Sequence, residues 1–354
     1  MPKNLTVNLS SLLNKPTGIT TYALNILPYL NSLEPTLLVS QDISPYKCYP
    51  IPSNQTAEQG YKGHIRRLLW TQLKLPKIYH QLNSSLLFSP LPEAPVGANC
   101  RYIVMVHDLI PLRFPKPLTY YFRYYVPHVL EQAQHIICNS LATAQDIIDF
   151  FGIKAEKITP IPLAYDSSHF RYLNLPTKNY FLYIGRQESY KNLQRSISAF
   201  AALPNCGDYE LWLAGSTDKR YTPSIINQVE QLNLTRQVKF LDYVAYADLP
   251  KLINSAIALV FPSLWEGFGL PVLEAMACGT PVITSNLSSL PEVVGDAAIL
   301  VNPYQIEEIT AAMNDVANDT GLRSHLSQAS LARSSQFSWE QTGLATAQLL
   351  HKYL

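Results

Sequence analysis

The sequence predicts an α/β protein built from two doubly wound domains, on three observations. At 354 residues the chain is longer than one hydrophobic core usually organises. Short, near-continuous aliphatic runs alternate with stretches of helical periodicity, the pattern of parallel strands covered by helices on both faces. The alternation breaks once, in the polar, proline-containing "LAYDSSHFRYLNLPTKN" (163–179), which reads as an interdomain linker.

Each element has its own justification. Strand runs are expected at 4–10, 85–90, 102–108, 135–140 and 158–163. A second series follows at 180–185, 209–215, 238–244, 256–263, 280–285 and 297–301. Helices are expected between them at 18–31, 117–133, 141–151, 191–203, 222–232, 246–255, 270–277 and 305–317. The domains are therefore placed at 1–165 and 179–337, joined by a linker at 166–178, with a final helix over 338–354. Ligands of such sheets sit at the carboxyl ends of strands, so residues just after a strand take priority.

Composition excludes several classes. Of the residues, 47% are hydrophobic and 15% charged, as in ordinary globular proteins, and no apolar run approaches the roughly 18–20 residues of a spanning helix. The N-terminus lacks the basic and apolar regions of a signal peptide, so a cytoplasmic protein is expected. Cys48, Cys100, Cys138, Cys206 and Cys278 are scattered, as free thiols would be, and suggest neither a disulfide frame nor a metal site. A net charge of +1 gives no reason to expect nucleic acid as a partner. Residues 1–170 hold 14 Lys/Arg against 10 Asp/Glu and the remainder 13 against 16, leaning the first half toward an acidic partner or an anionic membrane surface. There is no G-x-G-x-x-G followed by a distant acid, and no P-loop.

Four strand-end motifs remain. In "PSLWEGFGLPVLEAMACGTPVI" (262–283) a strand runs into a loop carrying Glu266, and a helix starts at Leu270 or Pro271 with Glu274 in its first turn. The amides of Phe268, Gly269 and Leu270 would then point out of the helix start and suit an anion, flanked by two carboxylates able to accept from ligand hydroxyls. On residue types alone the two carboxylates would equally serve as a cap and a surface charge. In "YFLYIGRQESYKN" (180–192) Arg186 and Lys191 follow a strand, a fork and a point charge for a phosphate, or simply two solvated cations. His107 and Asp108 end the strand "YIVMVHD" (102–108), where a histidine either reaches a ligand or bonds backbone in the core. Gly18 opens a helix after the first strand, in "NKPTGITTYALNIL" (14–27).

Together and in this order, these pieces resemble the retaining glycosyltransferases of family 4, with the GT-B fold of two Rossmann-like domains facing each other across a cleft. The resemblance spans nearly the whole chain. It rests on the E-x7-E spacing of Glu266 and Glu274, on "GRQESYKN" (185–192), and on "FLDYVAYADLPKL" (240–252), where Asp242 stands at a usual glycine. Pro16-Thr17 before Gly18 is a second departure, at the acceptor side.

The resemblance implies roles. Glu274 would hold the ribose hydroxyls of a nucleotide sugar, and Glu266 would face the donor sugar. The amides of Phe268, Gly269 and Leu270 would meet sugar and phosphates, Arg186 and Lys191 would grip the diphosphate, and His107 would reach the donor sugar. Gly18 would let a helix start approach the donor, and the nucleobase would pack near Val244. It implies retaining hexosyl transfer without a metal or other cofactor, to a saccharide or lipid-linked saccharide acceptor, in polysaccharide or glycolipid assembly. UDP-glucose is the first expectation for the donor and GDP-mannose its competitor; the rival readings are a sugar-nucleotide epimerase of the same fold, against which the E-x7-E and the Arg/Lys pair argue, and a non-catalytic nucleotide-binding subunit. The basic, aromatic stretch "YKGHIRRLLWTQLKLPKIYHQL" (61–82) is either an acceptor-side helix or an amphipathic face making peripheral contact with the inner face of the membrane.

Overall fold

The computed structural model describes residues 4–13 and 18–354. They form two compact units, one of the described residues up to 163 together with 339–354, the other of residues 164–338.

The first unit carries a parallel sheet of seven strands: β1 (Leu5–Asn8), β2 (Thr36–Val39), β3 (Lys47–Pro50), β4 (Leu86–Ser89), β5 (Tyr102–Val106), β6 (His135–Cys138) and β7 (Ile158–Pro160). Their spatial order is β3-β2-β1-β4-β5-β6-β7, so the winding reverses between β1 and β4. Every residue of β1, β4, β5 and β6 is buried, as strands covered on both faces must be. Val104 and Ile136 pair in register and share a core cluster with Leu87, Val129 and Leu130. The helix Leu141–Phe151 shows how local sequence sets its ends. Ser140 accepts from the Thr143 amide at its start, and Gly152 closes it at a φ of 65°.

The final helix, Trp339–Tyr353, belongs to this first unit. Thr342 donates to the carbonyl of Pro162, Arg101 to that of Tyr353, and the Tyr353 hydroxyl meets His135 Nδ1 at 2.9 Å.

The second unit has six parallel strands: β8 (Tyr180–Ile184), β9 (Glu210–Ala214), β10 (Val238–Asp242), β11 (Ala258–Phe261), β12 (Val282–Ser285) and β13 (Ile299–Val301). The order β10-β9-β8-β11-β12-β13 places its winding reversal between β8 and β11. Phe181, Leu211, Val260 and Ile283 form the core of this sheet with Ile197, Phe200 and Met313 from its helices.

Three details depart from the sequence reading. Strands β2 and β3 were not anticipated: "TLLV" is buried from Leu37 to Val39 but only four residues long, and "KCYP" is an edge strand with exposed ends. Helix 18–31 divides, as an α-helix over Gly18–Ile26 becomes a 3-10 helix at Leu27 with Pro28 in its first turn. Residues 166–178, expected as a linker, pack on the second unit. His169 stacks on Tyr246 with ring centroids 3.9 Å apart, and the Leu173 amide donates to Asn254.

Candidate functional site

In the second unit the loops after β8 and β11 leave adjacent strands at the point where the winding reverses, the position at which open α/β sheets bind ligands. They are fastened to each other. The Leu264 amide donates to the Tyr190 carbonyl at 2.7 Å, and Asn192 donates through Nδ2 to the carbonyls of Pro262 and Pro303 at 2.9 and 2.7 Å. Asn192 is buried at a φ of 60°, so it both turns the chain into the helix Leu193–Ala201 and staples three strand ends together. Sequence reasoning read this residue as a helix start and as the last position of the motif at 185–192, and gave it no role of its own.

Lys191 and Glu266 meet here. Lys191 Nζ lies 2.6 Å from Glu266 Oε1, with side chains 13% and 9% exposed, and the ammonium also sits over the Phe261 ring at 5.0 Å. The backbone of Glu266 is held from the loop after β12: its amide donates to Ser288 Oγ and its carbonyl accepts from Ser289 Oγ. Arg186, just beyond β8, is exposed, and its guanidinium has no hydrogen-bond or ion-pair partner among the described residues.

The loop then enters the helix Leu270–Ala277 through Gly269. Gly269 has a φ of 102°, so its conformation demands glycine, and a Cβ there would also displace Leu290 Cδ2, 2.7 Å away. The amides of Phe268, Gly269 and Leu270 have no acceptor among the described residues. Glu274 falls in the second turn of this helix rather than the first, because the helix starts at Leu270 and one turn takes about 3.6 residues. Its carboxylate is half-buried without a hydrogen-bond partner among the described residues, and burial pushes its pKa up to about 8. Hydroxyls brought by a ligand would favour its ionised form, which can then accept from them.

The remaining edge is formed by β10. Asp242, at the usual glycine position, has a φ of 50°, the left-handed region that Asp tolerates better than most residues. Its carbonyl accepts from the Gly215 amide, and a Cβ at Gly215 would stand 1.9 Å from the Gly185 carbonyl oxygen, so the ends of β8 and β9 are in backbone contact. Val244 follows, half-buried in an exposed turn. Ser263, which sequence reasoning missed, is fully buried after β11 with its hydroxyl unpartnered.

In the first unit His107 follows β5 and donates through Nε2 to the Pro90 carbonyl at 3.0 Å. Since that carbonyl can only accept, the proton of the neutral ring sits on Nε2 and Nδ1 is an acceptor. Burial lowers its pKa to about 4, with the Pro90 bond acting in the opposite sense. Tyr22, on the helix that Gly18 opens, packs edge-on against the imidazole with centroids 5.2 Å apart. The Pro16-Thr17 departure lies outside the described residues.

Two family models divide the chain between them. "Glycosyltransferase Family 4" matches residues 16–169 and "Glycosyl transferases group 1" matches residues 166–333. An O-antigen chain mannosyltransferase B of Escherichia coli is 33% identical over 271 residues, 72% of this chain and 70% of that protein. The chain is a group 1, family 4 glycosyltransferase. The O-antigen chain mannosyltransferase RfbU of Salmonella typhimurium is 28% identical to this glycosyltransferase over 331 residues, 88% of the chain and 90% of the relative. Among solved structures, a sucrose-phosphate synthase from Thermosynechococcus elongatus superposes with a TM-score of 0.80 at 19% identity, covering 99% of this chain and 98% of the other. The two Rossmann-like units of the glycosyltransferase are those of the GT-B fold.

Proposed function

We propose that this glycosyltransferase moves a hexose, mannose from GDP-mannose in first place, to a saccharide or lipid-linked saccharide acceptor in assembly of an O-antigen-type polysaccharide. The observation that carries the transfer reading is the Lys191–Glu266 pair beside an unpaired Arg186, three unpartnered amides and an unpartnered Glu274 at the sheet's reversal point. Mannose rests on the names of the similar proteins, which displace UDP-glucose from first expectation to competitor.

In this reading the anomeric carbon–oxygen bond breaks and its electron pair leaves on the diphosphate. Arg186, Lys191 and the amides of Phe268, Gly269 and Leu270 stabilise that charge without a metal. The acceptor oxygen attacks the same face of the sugar, and its proton passes to the departing phosphate oxygen, so the configuration is retained. Glu266 accepts from sugar hydroxyls rather than acting as nucleophile, while Glu274 accepts from the ribose. Val244 borders the donor at the nucleobase. The enzyme works in the cytoplasm, in peripheral contact with the inner face of the membrane.

The test is donor breakdown by purified protein with radiolabelled GDP-mannose and UDP-glucose. Slow release of mannose, lost in Glu266→Ala and Lys191→Ala, is expected. Release of glucose alone would overturn the donor assignment. Tight nucleotide binding with turnover of neither sugar, even with oligosaccharide acceptors, would favour the binding-subunit reading.

A further inference from the structure

Residues 166–170 and the turn after β10 build an aromatic stack in the second unit. Asp166 accepts through Oδ1 from the amides of Ser168 and His169 at 3.0 and 3.2 Å and from Ser168 Oγ at 2.6 Å, which fixes the turn that carries His169. His169 donates through Nε2 to the Tyr246 carbonyl at 2.7 Å, and its ring lies on the phenol with 9° between the planes and 3.9 Å between the centroids. Phe170 stands nearly perpendicular to both rings, its centroid 4.8 Å from His169 and 5.6 Å from Tyr246. A ring that near to both lies beside the stack rather than on top of it. The outer face of Tyr246 is therefore left open by both, and the residue is 44% exposed.

This open face belongs to the ligand side of the sheet. Tyr246 starts the 3-10 turn Tyr246–Asp248, two residues beyond Val244 and at the carboxyl end of β10. Burial pushes its phenol up to about 12, and the carboxylates of Asp166 and Glu274 act in the same sense, so the ring stands within electrostatic reach of the unpartnered Glu274. The groups suited to phosphate lie elsewhere, on the loops after β8 and β11, and β9 separates β10 from β8. Two strand spacings make about 10 Å. A nucleotide whose phosphates sit at β8 and whose ribose meets Glu274 carries its base toward Tyr246.

We propose that the outer face of Tyr246, backed by His169, is the stacking platform for the donor's nucleobase and that it selects a purine. This role rests on the proposed placement of the donor with its ribose at Glu274. Every base has a π-face that stacks on an aromatic ring, and two fused rings cover the phenol more fully than the single ring of a pyrimidine. The platform is set before the ligand arrives. Phe170 and the His169–Tyr246 bond hold the phenol in place, so little side-chain freedom is lost on binding. A guanine donor then has a physical ground besides the names of similar proteins. Stacking uses the ring and leaves the Tyr246 hydroxyl dispensable.

The test is calorimetric titration of GDP, UDP and pyrophosphate into the full chain and into Tyr246→Leu and Tyr246→Phe, each checked for unchanged melting. The wild type and Tyr246→Phe should bind GDP more tightly than UDP. Tyr246→Leu should lose about tenfold or more for GDP, which brings the two nucleotides level. Pyrophosphate has no base, so its affinity should be the same in all three proteins. In NMR spectra of GDP the proton on the guanine five-membered ring should move upfield on binding to the wild type and Tyr246→Phe, through the ring current, and stay in place with Tyr246→Leu. GDP affinity and proton shift that Tyr246→Leu leaves unchanged overturn the proposal. So does an equal loss of GDP and pyrophosphate, the mark of a merely structural residue. Pyrophosphate binding that Arg186→Ala abolishes would still keep the phosphates at the ends of β8 and β11, so the platform can fail while the donor site stands.

Discussion

Lys191 Nζ and Glu266 Oε1 stand 2.6 Å apart although 75 positions separate them in the chain. One follows β8 and the other β11, and the parallel pairing of those strands is what makes them neighbours. The pair is more than nine-tenths screened on the carboxylate side, so each charge depends on the other until a ligand arrives. Removing either partner strands the other. Lys191→Ala and Glu266→Ala should each lower stability, and the double variant should recover part of the loss, with a coupling of about 1–3 kcal/mol. Denaturant titration of the four proteins measures it. Coupling near zero would mean that the two side chains do not hold each other in solution.

Arg186 should behave in the opposite way. Its exposed guanidinium has no hydrogen-bond or ion-pair partner among the described residues, so Arg186→Ala should leave the melting temperature unchanged. Turnover of donor should fall by about 10²–10³, the usual loss when one positioned donor is withdrawn from a developing anion. A variant that melts early but still turns over would contradict the assignment.

Glu274 ties ligand binding to protons. Its pKa is raised from 4.5 to about 8, so the folded chain keeps a proton that the unfolded chain gives up. The group's contribution is fully present below pH 4.5 and is lost as pH rises to about 8. Glu274→Gln should therefore melt higher than wild type at pH 8.5, with the difference shrinking toward pH 5 and amounting to about 2–4 kcal/mol across the range. Ribose hydroxyls favour the carboxylate, so nucleotide binding at pH 7 should release up to one proton. Calorimetry in buffers of different ionisation enthalpy reads that release, and Glu274→Gln should abolish it.

His107 sets an acid limit on the first unit. The ring stays neutral to about pH 4 when folded, whereas an unperturbed histidine takes up its proton at 6.5. The unfolded chain binds more protons between those values, so stability falls as pH drops through this window. His107→Gln should remove about 2–3 kcal/mol of that fall, visible as a flatter stability curve between pH 6.5 and 4. An unchanged curve would show that the imidazole is not dry.

Much of this was legible in the sequence, for identifiable reasons. Strands such as "YIVMV" and "ALVF" declare themselves because burial on both faces removes polar residues. Helix Leu270–Ala277 was legible to the residue because Gly269 and Pro271 punctuate its start. Strand β3 was not, since an edge strand needs no apolar face. The Lys191–Glu266 contact was also hidden. Each residue was given a ligand to hold, and only the strand order shows that they first hold each other. Asn192 and Ser263 escaped because a staple and a buried hydroxyl carry no spacing signature.

The most direct test of the central claim is calorimetric titration of GDP and UDP, in metal-free buffer, into the wild type, Glu274→Ala and Arg186→Ala. Micromolar binding of GDP that falls about tenfold or more in both variants is the predicted result. Failure of both nucleotides to bind folded protein, or binding that neither substitution weakens, would contradict the placement of the donor at the ends of β8 and β11.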